Sequence, residues 1–287
     1  MYRVALQPTD VNRPPSASIP TFQLPRTLER PAFVLDSLSR QSLAALAPEL
    51  AEVPLPFIHH QLAVHADQML ADINSLPIPS TIPAMRLPRT LAVKLPVASS
   101  DSDVEHIYPT HILAVSASSR STLAAPDAPL PLVAVHGVAF AANCTTAALR
   151  PVEYDANTRG TLTLPLYRVA LPSVQALLIL RGYMYTHRID MLLSAIFPLP
   201  APLTYVEIKS ALVSSATKLR LAMHLVSAHQ GPAHILGYAR RVQDIWRTVC
   251  CLGMYHVELW DALDLAWELV IVALTSSGIR WTWHETW

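Results

Sequence analysis

Histidine, cysteine and tryptophan are the residue types of this chain that invite a chemical reading. His59, His60 and His65 fall in one apolar-periodic segment, and imidazoles about one helical turn apart can converge on a zinc-type cation. No further ligands follow at a matching spacing, so half-buried or surface histidines are the simpler account. His224, His229 and His234 recur at intervals of five, which turns them apart on a helix, and Gly231-Pro232 interrupts them. Cys144, Cys250 and Cys251 are too few for a disulfide framework, and sequence neighbours bridge only with strain. They read as small buried residues of a reducing compartment.

Larger constellations are missing their minimal parts. The chain has no G-x-S-x-G elbow, no phosphate-cradling glycine loop, no H-E-x-x-H and no paired C-x-x-C. No catalytic residue, no metal ligand and no cofactor is assigned on this basis, and an enzyme is not the expectation. The candidates that remain are for protein contact: Trp246, Trp260 and Trp267, the basic residues Arg240, Arg241 and Arg247, and the acidic Asp261 and Asp264. Tryptophan anchors interfaces, and clustered arginines accept an acidic partner segment. Helical spacing with Leu263 and Val270 gives Trp260 and Trp267 a core reading first.

Charge narrows the partners. Formal net charge is zero and the only lysines are Lys94, Lys209 and Lys218, so no basic field exists to follow a nucleic acid backbone. The most apolar long segment, 257–279, carries Glu258, Asp261, Asp264 and Glu268, each costly at a bilayer centre, so no membrane span is expected. The first residues lack the apolar core and cleavage site of a secretory signal, which makes an intracellular location, nuclear or cytoplasmic, the expectation.

These residues need elements to hold them. Pro8, Pro14, Pro15, Pro20, Pro25 and Pro31 deny residues 1–31 a continuous helix or central strand, and a disordered or surface-hugging tail is expected. Helices follow over 34–46 and 57–76, the second with Ile58, Leu62, Met69, Ile73 and Leu76 on one stripe and Asp67 and Asp72 outside it. Returning prolines make the stretch to residue 100 a connector, in which TLAVKLPV has the composition of an edge strand. THILAVSA and LPLVAV then read as a hairpin, His136 opens an alanine-rich helix, TLTLPLY forms a third strand and Pro172-Ser173 begins another helix. Beyond residue 202 the texture is helical. A stripe of Ile208, Leu212, Ala216, Leu219, Met223 and Val226 predicts one helix, and segments 233–252 and 257–275 predict two more, joined by short loops as antiparallel neighbours.

The order hairpin, histidine-led helix, strand and helix closing in YMYTHRID resembles the BTB/POZ fold, a protein-interaction module. The sequence VAVHGVAFAANC matches its second strand running into a histidine and a small-residue helix, and Tyr183 to Thr186 match its aromatic-Tyr-Thr turn. The fold class expected is therefore α+β and mostly helical. Its parts are N-terminal helices and connector over 32–100, a small BTB/POZ-like core over 101–200, a C-terminal helical bundle over 201–279 packed on that core, and a tail over 280–287.

A second resemblance is more particular. VQDIWRTVCCLGMYHVELWDALDLAWELVIVAL, together with RPAFVLDSLSRQSLAALAPELAEVP, YPTHILAVS and LPSVQALLILRGYMYTHRIDMLLSAIFPLP in order, resembles the clampless protein family of basidiomycete fungi over most of residues 30–275. The resemblance implies a non-enzymatic regulator of clamp-cell formation, dikaryotic growth and sexual development. Its partners would be proteins of the mating-type pathway, homeodomain or other transcription factors, with no direct contact to nucleic acid or membrane. The BTB/POZ-like centre implies an alternative, an adaptor that recruits a ubiquitin ligase or a transcriptional repressor.

Overall fold

The computed structural model describes residues 22–31, 37–96, 106–117, 128–146, 149–151, 160–228, 232–278 and 281–284. The first part of the proline-rich tail, the tip of the hairpin loop, the polar turn after residue 151, His229 and the last three residues lie outside them.

A five-stranded sheet forms the centre of the chain. Its strands are β2 (Thr81–Pro83), β3 (Thr90–Lys94), β4 (His111–Ala117), β5 (Pro129–Val135) and β6 (Thr161–Leu171), in spatial order β2-β5-β4-β6-β3. The expected hairpin is present, with β4 antiparallel to β5, and β6 lies parallel to β4 on its other side, Ile112 opposite Leu166. HILAV in β4 is buried on both faces, as befits a central strand written as one apolar run. Leu113 and Val115 face the main core, whereas Ile112 and Ala114 join Leu76, Val93, Leu130 and Leu164 in a smaller one. β3 closes one edge of the sheet by pairing antiparallel to β6, so TLAVK is an edge strand and not merely a connector. Its alternating residues fit one buried side, Val93, and one open side.

Helices cover one face. They are α1 (Ser37–Leu46), α2 (Leu55–Ser75), α3 (Gly137–Asn143), α4 (Val174–Thr186), α5 (Ile189–Ile196), α6 (Tyr205–Val213), α7 (Ser215–Ala228), α8 (Pro232–Leu252) and α9 (Val257–Ser276). The architecture is α+β and mostly helical. α1 packs on α3 so closely that a Cβ on Gly137 would lie 2.6 Å from His111 Cε1 and 2.9 Å from Leu46 Cδ2. Ser173 caps α4 by accepting the Ala176 N–H, and Thr204 with Glu207 forms a capping box on α6.

Three expectations need correction. The stripe drawn through 208–226 is two helices, because the chain turns at Ser214; the break resets the phase, so Leu221, Ala222 and Leu225 are buried while Leu219 and Met223 are exposed. Asp72 is not on the outer side of α2. It is buried, its carboxylate accepting the Ile107 N–H at 2.6 Å and pairing with His106 Nδ1 at 2.8 Å, which ties the approach to β4 onto the helix. Residues 22–31 are built into the fold: β1 (Phe22–Pro25) pairs in parallel with β7 (Trp281–His284), and Leu24 and Leu28 enter the main core.

α9 is the axis of the C-terminal half. Leu259, Leu263, Val270 and Leu274 are fully buried, and α5, α6, α7 and α8 pack around the helix. The turn between α8 and α9 is held against the end of α3, where the Thr145 and Thr146 N–H groups donate to Leu252 O and their hydroxyls donate to Gly253 O and Cys251 O. No described helix is long and apolar enough to cross a membrane.

Candidate functional site

The residues singled out for protein contact separate into three groups once packed. Trp260 is fully buried, its Nε1–H donating to Met254 O at 3.0 Å, and Trp267 is 2% exposed with Nε1–H donating to Pro25 O at 3.2 Å. Both belong to the core, as helical spacing with Leu263 and Val270 implies. Trp246 is half-buried and donates to Glu29 O at 3.0 Å, so two tryptophans from neighbouring helices grip the backbone of residues 22–31.

The acidic pair serves the same strap. Arg30 reaches Asp261 at 2.8 Å and also binds Asp264, while Lys209 Nζ and the Tyr205 hydroxyl meet the other Asp261 oxygen at 2.8 and 2.9 Å. Asp261 is 5% exposed and therefore does not line an open side of α9. Burial opposes its charge, but hydrogen bonds from Lys209, Arg30 and Tyr205 hold its carboxyl below the ordinary value. Burial dominates at Asp264 and raises it, against the pull of Arg30. This is a carboxylate with three donors from two segments, residues 22–31 and α6, a structural joint whose retention needs every partner in place.

Two of the arginines present an open surface. Arg240 and Arg241 are exposed on the outer side of α8, and Arg247 is half-buried further along. Arg241 donates to Ala195 O and Ile196 O at 3.3 and 3.0 Å, where its charge meets the carboxyl end of α5. Beside it a groove of about 460 Å³ runs between α5 and α8, lined by Phe197, Pro198, His234, Gly237, Tyr238 and Arg241 among others.

A histidine cluster emerges that no spacing in the chain announces. His59 from α2, His187 at the end of α4 and His256 at the start of α9 bring ring centroids to 4.3, 5.1 and 4.9 Å, with one nitrogen of each within 4.8 Å of the others. Among the described residues this is the group whose donors could hold a metal ion. His60 and His65 stay exposed on α2, so the convergence expected along one helix does not occur. The partners lie more than a hundred residues from His59, and the visible hint was their position at helix ends, in MYTHRID and MYHVELW.

His136 occupies a different, sealed place. Its Nε2–H donates to Ile107 O at 2.9 Å, its Nδ1 accepts the Tyr185 hydroxyl at 2.8 Å, and its own backbone N–H donates to that hydroxyl at 2.8 Å. Burial lowers its pKa to about 4. The ring is a fixed neutral link between β5, α4 and the approach to β4, and its nitrogens are both engaged.

Residues 31–172 match the family model described as Clampless protein 1 N-terminal domain, and residues 190–284 match that described as Clampless protein 1 C-terminal domain. The two matches stand in order and take in most of the chain. No curated protein and no solved structure matches it.

Proposed function

The chain belongs to the clampless protein family, and from that membership we propose that it governs clamp-cell formation and dikaryotic growth in a basidiomycete fungus by binding other proteins, without catalysing a reaction. The observation that carries the reading is the match of both family domains, in order, over 31–172 and 190–284. The protein acts inside the cell, in the mating-type pathway, and its direct partner is a transcription factor of the homeodomain class. Contact is made by the outer side of α8, where Arg240 and Arg241 stand exposed beside the groove under Tyr238. An acidic segment suits that face, because rim arginines steer and orient a partner of opposite sign.

Two strains and one capture test this. A deletion strain should form dikaryons with few or no clamp cells, and re-expression of the full chain should restore them. Clamp cells at wild-type frequency in the deletion strain would refute the regulatory role. Arg240→Glu leaves the core untouched and should deplete the homeodomain partner from affinity capture in dikaryotic cells. An unchanged partner set would remove this face from the proposal while leaving the regulatory role to the first test.

A further inference from the structure

His187 and His256 stand at helix ends and His59 lies where α2 meets them, and no side chain of the three caps a helix in the described residues. His256 is the N-cap of α9 yet makes no side-chain cap. His187 is the C-cap of α4 in the left-handed region at φ 50°, the one non-glycine residue with positive φ among those described. That conformation is disfavoured for an L side chain with a Cβ and persists where the surroundings impose it. Here it aims an imidazole at two others.

A neutral imidazole keeps a lone pair on one of its two ring nitrogens. His187 Nε2 is buried without a hydrogen-bond partner among the described residues. So is the hydroxyl of Tyr183, a residue 2% exposed whose ring lies 5.2 Å from His187 and 6.0 Å from His256. An orphaned buried group destabilises the fold unless something meets it, and an ion bound at His187 Nε2 would do so. His59 supplies the complementary sign of a built site. Its Nε2 lies 3.2 Å from Ala142 O, so that nitrogen donates to the carbonyl. A ring held by a backbone carbonyl through its far N–H is the usual second support of a metal-binding histidine.

We infer that His59, His187 and His256 bind one divalent cation of the zinc class through three imidazole nitrogens, with water completing the coordination. Imidazole selects zinc and its transition-metal neighbours over calcium or magnesium. Zinc–nitrogen bonds of about 2.0–2.1 Å set tetrahedral ligand nitrogens about 3.4 Å apart. The widest spacing here is within 4.8 Å, so side-chain rotation closes the site without moving the helices. The ion would join α2, α4 and α9. His59 lies in the N-terminal family domain, His256 in the C-terminal one and His187 in the residues between, so the metal staples the two matched regions together.

The test uses the full chain, stripped with chelator and dialysed against zinc chloride. One zinc per chain is expected, with a rise in unfolding temperature of about 5 °C at a hundredfold excess over Kd. His187→Asn keeps a residue that tolerates the left-handed region, His256→Asn keeps a cap-forming residue, and His59→Gln keeps an amide that reaches Ala142 O. Each should weaken zinc binding at least tenfold and so cut the thermal shift by about half or more, with the metal-free unfolding temperature as the check on folding. Cobalt substitution reads the ligands directly in the unmodified protein: weak d–d bands without a thiolate charge-transfer band are expected. Less than stoichiometric zinc in the unmodified chain, zinc affinity within a few-fold of wild type in any folded variant, or a thiolate band from Cys250 or Cys251 would overturn the inference.

Discussion

Lowering the pH from about 7.5 to about 5 should loosen this fold through His136, and the size of the effect follows from its surroundings. The side chain is 4% exposed and both nitrogens are committed, one donating to Ile107 O and the other accepting from Tyr185. A second ring proton would force the Tyr185 hydroxyl to turn its hydrogen away into a site where burial already disfavours charge. The folded-state pKa of about 4 therefore lies below the ordinary 6.5, mainly because burial opposes the imidazolium. Between those values the unfolded chain holds more protons than the folded one. The stabilisation is thus complete above pH 6.5 and is lost as pH falls toward 4. A shift of that size is worth about 3 kcal/mol in full and roughly 2 kcal/mol by pH 5. His187 and His256 are lowered for the same reason and add to the loss, so the His136 share must be isolated. Urea unfolding of the wild type and of His136→Gln at the two pH values does so. The variant should be less stable at pH 7.5, by about 1–3 kcal/mol for the orphaned Tyr185 hydroxyl, and should show about 2 kcal/mol less pH dependence. Equal pH dependence in the two proteins, or a His136 proton resonance in the folded protein that titrates at an ordinary histidine pKa, would refute the reasoning.

Two further substitutions probe the packing around α9. Trp260→Ala removes a fully buried indole and its bond to Met254 O, and should cost about 3–5 kcal/mol by calorimetry; an unchanged unfolding temperature would return Trp260 to the interface candidates. Gly253→Ala places a Cβ 2.1 Å from Thr145 Oγ1 at a φ of +63°, so it should destabilise by more than about 1 kcal/mol, and adding Thr145→Ala should recover only the part due to the clash. Stability equal to wild type for Gly253→Ala would show that α3 does not hold the α8–α9 turn as described.

Much of the architecture is written locally. The alternation in THILAVSA, the unbroken apolar run of LPLVAV, Ser173 ahead of an apolar stripe and the spacing of Trp260, Leu263, Trp267 and Val270 each report on a period of two or 3.6 residues, and short-range sterics enforce those periods. The family was legible for the same reason: its segments are contiguous stretches in order. What local patterns do not carry is which polar residue finds a partner far along the chain. Asp72 and Asp261 sit at positions that suit an exposed helix face, and only the arrival of His106 and Ile107 in one case, and of Arg30, Lys209 and Tyr205 in the other, makes their burial affordable. The proline-rich approach reads as tail because proline forbids a helix, yet two tryptophan N–H groups and an arginine dock residues 22–31 without one.

The residues that first invite chemistry show the same division. The sequence determined that His59 lies on an amphipathic helix and that His187 and His256 stand at helix ends. Tertiary structure alone decided that these three imidazoles meet while His60 and His65 face away, because ring contact depends on how α2, α4 and α9 pack and not on any spacing between residues 59, 187 and 256.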